Sequence, residues 1–231
     1  DSKYGNWTFF STAWYEKLFR NRSMMEALMN SLKLGVMSSL AAAILGTAGA
    51  VGMSKSHFRT MGLLENVSMV PLMIPEIILG MAYMTFFSLL SVPYGMVTLV
   101  IAHTTFCVPY IYIQVKARLE GMDPSIAEAA LGARPLRMFF DITLPLIMPA
   151  VMSGTLLAFA MSMDDVIISM FLTDVNVNTL PIKIYTQLKT GVTPKTNALC
   201  ALMFAFTLAL GLLSLWISRN GKAVMAAGNG G

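Results

Sequence analysis

The chain has 231 residues, of which 56% are hydrophobic and 12% are charged, and its mean hydropathy is +0.66. Soluble domains carry about 25% charged residues, so this composition excludes an ordinary soluble domain and predicts a membrane protein. The net charge of +4 does not indicate nucleic-acid binding, because the basic residues are scattered between apolar runs and form no stripe that could follow phosphates. At about 20 apolar residues per span, the chain has room for about five spans.

The sequence gives no support for metal or catalytic chemistry. Cys107 and Cys200 both lie inside apolar runs, which favours buried thiols over a disulfide or a metal site. His57 and His103 have no ligand-like spacing, and no nucleophile and base form a catalytic pattern. A phosphate-binding GxxxxGK[ST] loop is also missing from the sequence. We therefore expect a protein that is not an enzyme and that uses no metal or cofactor.

The first stretch, Asp1–Arg22, is polar and aromatic, and it has neither the charged nor the apolar region of a signal peptide. The first long apolar run, Ala27–Met53, follows and is predicted to span the membrane. Within it, Gly46, Gly49 and Gly52 recur at every third residue. Such small residues let a second helix approach closely.

The second apolar run, Val67–Leu90, is interrupted by Pro71, Pro75 and Glu76. Proline breaks the hydrogen-bond ladder of a membrane helix, so neighbouring helices must satisfy the freed backbone groups. Turn residues separate this run from the third one, Met96–Val115. Both runs are predicted spans.

A mixed-charge connection over Lys116–Asp141 is interrupted by glycine and proline, which suggests two short helices joined at a bend. The fourth predicted span, Ile142–Leu172, is long and contains the adjacent carboxylates Asp164 and Asp165. An ionisable group at membrane depth is costly, so it normally faces a bundle interior or a water-filled path.

A second polar connection, Thr173–Asn197, precedes the fifth predicted span, Ala198–Ile217. Residues 218–231 are rich in glycine and alanine, and we expect them to be disordered. Five spans place the two chain ends on opposite sides of the membrane. We assign the basic loops at Lys55–Arg59 and Lys116–Arg137 to the cytoplasm, although the contrast in Lys and Arg between the two sides is weak.

The segment Glu128–Ala133 (EAALGA), followed by Ile142–Pro145 (ITLP), resembles the EAA loop of the binding-protein-dependent ABC permeases. This resemblance implies that the loop over residues 116–145 is cytoplasmic and docks into a groove on a separate ATPase subunit. Glycine permits the sharp bend, and proline costs little where it starts the next membrane helix. The residues to which this coupling role is assigned are Glu128, Ala129, Ala130, Gly132 and Pro145.

Ser162–Val166 (SMDDV), Leu180–Tyr185 (LPIKIY) and Gly191–Pro194 (GVTP) look like the spermidine/putrescine permease subfamily, in particular its second (C-type) subunit. The resemblance implies an all-α, polytopic transmembrane helical bundle of the type I ABC importer permease type, with the first family span missing. Residues 1–26 would then be periplasmic, 27–217 the transmembrane domain and 218–231 a cytoplasmic tail.

The same resemblance implies a multi-pass protein of the bacterial inner membrane that works with three kinds of partner. These are a dimer of ATP-binding subunits, a second permease subunit that completes a heterodimer, and a periplasmic substrate-binding protein. ATP hydrolysis would reside in the ATP-binding subunits.

Four residues are candidates for a path that carries a polyamine: Asp164, Asp165, Glu76 and Tyr83. Carboxylates lower the cost of moving a multiply charged cation, and aromatic faces attract cations. Each candidate also has a structural interpretation. The aspartates could cap a helix near the periplasmic end, Glu76 could satisfy backbone groups freed by Pro75, and Tyr83 could simply pack. Because adjacent helix positions point about 100° apart, at most one of the two aspartates is expected to face the path squarely.

Two other functions stay open at this point. Related ABC permeases carry iron chelates, thiamine or other small solutes, and only the acidic pair and the Leu180–Asn197 stretch favour polyamines over these. In a proton- or sodium-coupled secondary transporter, Glu76, Asp164 and Asp165 would instead form an ion relay.

Overall fold

A computed structural model describes residues 13–55, 61–122, 135–174, 177–191 and 194–228. Within these ranges the chain is built from helices, in agreement with the predicted all-α class. In chain order they are α1 (Ala13–Phe19), α2 (Arg22–Lys55), α3 (Met61–Met73), α4 (Glu76–Leu89), α5 (Met96–Glu120), α6 (Pro135–Met138), α7 (Leu144–Asp164), α8 (Ile167–Leu172), α9 (Leu180–Thr190) and α10 (Pro194–Gly228).

Four stretches in the described part of the chain are long and apolar enough to cross a membrane, namely those of α2, α5, α10 and the continuous helix that ends with α7. The second predicted span is divided. Its halves, α3 and α4, meet at a bend of 107° between Met73 and Glu76, and together they make a fifth candidate span. The prediction of about five spans is confirmed, but the second is broken at Ile74–Pro75, and the fourth, predicted over Ile142–Leu172, is interrupted at Asp165.

The main core lies where α2, α5 and α7 pack together. Its fully buried side chains include Leu34 of α2, Leu99 and Ile111 of α5, and Ile147 of α7. Gly46 brings α2 close to α5, because an added Cβ would lie 3.0 Å from the Val108 carbonyl oxygen. The predicted close approach is therefore confirmed at that glycine.

A smaller apolar cluster joins α1, α9 and the first turns of α2 and α10. It buries Leu18, Met24, Ala27, Leu180 and Leu199. Polar contacts from α2 hold the start of α9 in place. The Ser31 hydroxyl accepts a hydrogen bond from the Leu180 N–H at 2.8 Å, and the Asn30 amide donates to the Asn178 carbonyl at 3.1 Å.

Helical backbone extends beyond the predicted boundaries at two places. Pro145 stands in the first turn of α7, but the helix already begins at Pro135 and passes through a π-helical turn over Phe139–Thr143. That turn is wider because the Leu144 N–H donates to the Phe139 carbonyl. At the other end, α10 continues to Gly228, so residues 218–228 are helical where we expected a disordered tail.

Candidate functional site

Two helices of the bundle are interrupted, and the interruptions position all the candidate carboxylates. The first break lies between α3 and α4 at Ile74–Pro75, and α4 begins with Glu76. The second lies between α7 and α8, where α7 ends at Asp164 and Asp165 adopts an extended conformation with ψ of 125°. α4 packs directly against α8, so the two breaks face each other.

Proline explains the first break. Pro75 has no N–H to donate and disfavours helical geometry at the preceding residue, so α3 ends at Met73. The Pro75 carbonyl then accepts hydrogen bonds from the Ile78 and Leu79 N–H groups, which start α4. Glu76 occupies the first turn of α4, where a negative charge is favoured by the helix dipole.

The second break contains no proline, and the Asp165 side chain accounts for it. Its carboxylate accepts hydrogen bonds from the Ile168 N–H at 3.1 Å and from the Ser169 N–H at 2.8 Å. These are two of the N–H groups that a helix start leaves without a partner. Asp165 therefore caps α8, which agrees with the structural alternative considered for the acidic pair.

A buried histidine completes this break. The ring of His103, on α5, is fully buried, and its Nε2 lies 3.4 Å from the Asp165 carboxylate and 3.1 Å from the Ser169 hydroxyl. Its Nδ1 lies 2.8 Å from the Ser162 hydroxyl, which in turn lies 3.2 Å from the hydroxyl of Ser38 on α2. One polar chain thus links α2, α5, α7 and α8 inside the membrane domain.

The fold brings Glu76, Asp164 and Asp165 together. Glu76 lies close enough to both aspartates for the charges to interact, although about 90 residues separate them in sequence. Close packing of α4 on α8 makes this possible, because Gly80 leaves room for the Phe171 ring, which an added Cβ would meet at 2.6 Å. Three like charges at one place attract cations and repel anions.

The three carboxylates differ in accessibility. Asp165 is buried, with 8% of its surface exposed, whereas Glu76 and Asp164 are both exposed. No hydrogen bond or ion pair within the described part of the chain engages the Asp164 carboxylate. Asp164 and Glu76 can therefore meet a solute, and Asp165 already has partners.

The other predicted residues are distributed as follows. Tyr83 is half-buried and packs against the main core. Seven residues separate it from Glu76, so the two lie on the same side of α4. Cys107 and Cys200 are free thiols, as expected, and Cys107 is buried. Four coupling-loop residues lie outside the described ranges: Glu128, Ala129, Ala130 and Gly132.

Two contacts tie together the helices on either side of that loop. The Lys116 ammonium on α5 pairs with the Glu65 carboxylate on α3 and lies 3.7 Å from Glu120. Arg118 donates to the Leu146 carbonyl of α7 at 3.0 Å. The base of the loop is thus connected both to the broken helix pair and to α7.

Sequence reasoning missed His103 and its serine partners. A search for ligand-like spacing could not find them, because His103 lies 62 residues from Asp165. A usable signal was nevertheless present, since an ionisable residue inside an apolar span generally has a partner inside the bundle. An acidic pair in another span is the natural candidate.

The described part of the chain is a polytopic helical bundle in which three carboxylates lie near one another at two helix breaks. Residues 38–220 match the family described as "Binding-protein-dependent transport system inner membrane component", and the chain belongs to this family. It is therefore an inner-membrane component of a transport system that depends on a binding protein, as the sequence predicted.

Two curated relatives illustrate the likeness. The spermidine/putrescine transport system permease protein PotC of Haemophilus influenzae is 37% identical over 221 residues, which cover 94% of this chain and 86% of the relative. The putrescine transport system permease protein PotI of Escherichia coli K12 is 38% identical over 225 residues, which cover 94% of this chain and 80% of the relative.

A solved structure shares the fold. The MetNI methionine ABC transporter, in an inward-facing crystal form, aligns with a TM-score of 0.69 at 18% sequence identity, covering 92% of this chain and 99% of the transporter chain. The predicted ABC importer permease fold is thus confirmed.

Proposed function

We propose that this chain forms one half of the path through which an ATP-driven importer moves a polyamine, spermidine or putrescine, across the inner membrane. The observation that carries the proposal is the meeting of Glu76 and Asp164, both exposed, at two facing helix breaks. A polyamine is a flexible chain with ammonium groups at separate points along it. Two carboxylates from different helices can each face one of these groups.

The comparisons support a cation of this kind. The two relatives at 37% and 38% identity, each matching 94% of this chain, are named for spermidine and putrescine transport. A more distant relative, the molybdenum transport system permease protein ModB of Mycobacterium bovis, is 29% identical. In water molybdenum is present as an oxyanion, which the carboxylates of Glu76 and Asp164 would repel.

A second permease subunit is part of the proposal. Glu76 and Asp164 lie on an open face, whereas a charged solute crosses a membrane only along a path that is walled on all sides. Next to Glu76, α4 presents an exposed apolar strip that a partner helix could cover. Its residues are Ile78, Met81, Ala82, Thr85, Phe86 and Leu89.

The energy source belongs to a separate subunit in this proposal, because the sequence contains no phosphate-binding loop of its own. The loop over residues 116–145 would dock on a dimer of ATP-binding subunits, with Glu128, Ala129, Ala130, Gly132 and Pro145 in the docking region. The contacts of Lys116 and Arg118 would transmit its movement to α3 and α7. A periplasmic binding protein would deliver the polyamine.

The test is uptake of labelled spermidine and putrescine by cells that express the full-length chain with its partner subunits. The variant Glu76→Gln/Asp164→Asn removes both exposed charges and keeps their size. We expect the KM for uptake to rise at least tenfold, which corresponds to about 1.4 kcal/mol of lost binding. Glu26→Gln, an exposed acid on α2 that pairs with Arg22, is the matched control and should leave the KM unchanged.

Three results would contradict the proposal. A wild-type complex that takes up neither polyamine would remove the cargo. An unchanged KM in the double variant, at equal membrane abundance, would remove the two carboxylates from the path. Uptake that stops with an uncoupler but persists in vanadate would show a proton- or sodium-coupled transporter in place of an ATP-driven one.

A further inference from the structure

The polar chain around His103 is the largest feature that the proposed function leaves unused. It consists of side chains that are at most 8% exposed and that come from four helices: Ser38 of α2, His103 of α5, Ser162 of α7, Ser169 of α8, and Asp165 at the break between the last two. Burying a polar group is costly unless it has a hydrogen-bond partner. The contacts between these five side chains are therefore needed to keep them inside the bundle.

The direction of the hydrogen bonds can be followed from one end of this chain. The Ser38 hydroxyl lies 2.7 Å from the Leu34 carbonyl, which can only accept, so Ser38 donates its proton there. The contact of 3.2 Å between Ser38 and Ser162 then requires the Ser162 hydroxyl to donate. With its one proton given to Ser38, Ser162 accepts from Nδ1 of His103.

The opposite ring nitrogen faces a negative charge. Nε2 lies 3.4 Å from the Asp165 carboxylate, which also accepts the N–H groups of Ile168 and Ser169. The Ser169 hydroxyl lies 3.1 Å from the same nitrogen and can donate to it or accept from it. The His103 ring therefore joins Ser162 on one side to Ser169 and Asp165 on the other.

We propose that His103 is a positioning residue whose buried ring holds the Asp165 carboxylate in place, and we call this contact the latch. The latch fixes the break between α7 and α8, and it leaves Asp164 as the member of the acidic pair that receives a cationic cargo. The role of Asp164 rests on the proposed function. The latch itself does not, because it concerns only the folded subunit.

Exposure and geometry explain the division between two neighbouring residues of the same type. Asp165 has an extended backbone and points its carboxylate back onto α8 and His103. Asp164 is the last residue of α7, is exposed, and lies near enough to Glu76 for their charges to interact. A buried carboxylate that already accepts hydrogen bonds is less available to a passing cation than an exposed one.

The first arm of the test measures the latch by thermal unfolding of the purified complete transporter. His103→Gln keeps a polar side chain but lacks the ring that reaches both Ser162 and Asp165, so it leaves the buried Asp165 carboxylate without this contact. We expect the melting temperature to fall by about 5 °C or more. Adding Asp165→Asn should recover at least half of this loss, because the second change replaces the buried carboxylate with a neutral amide.

The control pair for this arm is Ile111→Ala with and without Asp165→Asn. Ile111 is fully buried two helical turns beyond His103 and is apolar, so its effect should add to that of Asp165→Asn. If the decreases in melting temperature from His103→Gln and Asp165→Asn are also additive, the two residues are not coupled, and the latch is overturned.

The second arm measures the KM and the maximal rate of spermidine uptake by the same complex in proteoliposomes. We expect Asp164→Asn to raise the KM at least tenfold at unchanged melting temperature, and Asp165→Asn to raise it less than threefold. Equal increases from the two variants would overturn the division between them. If the wild-type complex takes up no polyamine, the proposed function fails, and the melting temperatures alone decide the latch.

Discussion

The break between α3 and α4 and the break between α7 and α8 face each other, yet they are made in different ways. At the first, Pro75 removes an N–H, and the chain bends by 107° at an exposed position. At the second, no proline is present, and Asp165 replaces the helical hydrogen bonds with its own carboxylate while His103 packs beside it.

The two breaks differ in whether they bury a charged side chain and in whether their acidic residue is accessible. The proline break needs no partner beyond the backbone, so its acidic residue, Glu76, remains accessible. The aspartate break places a charge inside the bundle, where it must be balanced. Two carboxylates at helix ends, those of Glu76 and Asp164, thus remain accessible, and a third, that of Asp165, is buried.

The largest expected effect is at the buried break. Asp165→Ala leaves the Ile168 and Ser169 N–H groups without their acceptor, and each buried donor left without a partner costs about 1–3 kcal/mol. Asp164→Ala, one residue earlier and exposed, should change stability by less than about 0.5 kcal/mol. Unfolding of the purified complex in detergent, followed by tryptophan fluorescence, measures both. Equal losses would show that the two aspartates do not differ in the way described here.

An intermediate effect is expected where the two breaks are packed together. In Gly80→Ala, the new Cβ would lie 2.6 Å from the Phe171 ring, and such overpacking costs about 1–3 kcal/mol. The smaller side chain in Gly80→Ala/Phe171→Leu should recover part of that loss in the same unfolding assay.

Gly52→Ala is the matched control for this contact. Nothing lies within 4 Å of its added Cβ, and alanine favours the helix over glycine, so stability should stay equal or rise slightly. A loss at Gly52 as large as that at Gly80 would indicate a general effect of the helix backbone.

The smallest effect is expected at the proline break. Pro75→Ala restores an N–H and frees the unfolded chain, which costs about 0.4–1 kcal/mol where the native conformation suits proline. Uptake should suffer more than stability, because α4 could then extend backwards and move Glu76. Uptake and unfolding measured on the same preparation compare the two effects. A large loss of stability with normal uptake would contradict this interpretation of the break.

Hydrophobic runs were enough to predict the spans and their number, because an apolar stretch of about 20 residues has few alternatives in a membrane. The bend within the second span was also indicated, since Pro71 and Pro75 stand inside it. Helix ends were less predictable. The stretch 135–143 is polar enough to suggest a loop, yet it is helical and continuous with α7.

The sequence predicted which acidic residues belong to the candidate site, but it did not predict their contacts or which of them are exposed. The cost of a charge in an apolar run identified Glu76, Asp164 and Asp165, and helix geometry predicted that the two aspartates would differ. Which of them is exposed could not be known from the sequence, because neighbouring residues in one run share the same local context. In the structure the buried one is Asp165, whose carboxylate lies 3.4 Å from His103, a residue 62 positions away on another helix.

The sequence by itself determined the class of this protein: an all-α membrane subunit with about five spans, an acidic pair and the motifs of its transport family. Those properties are local, since they depend on runs of apolar residues and on short stretches of chain. Only the tertiary structure decided that the three carboxylates meet, that Asp165 is paired with His103, and that Asp164 and Glu76 remain accessible. Such contacts join distant segments, and they exist only after α4, α5, α7 and α8 have packed together.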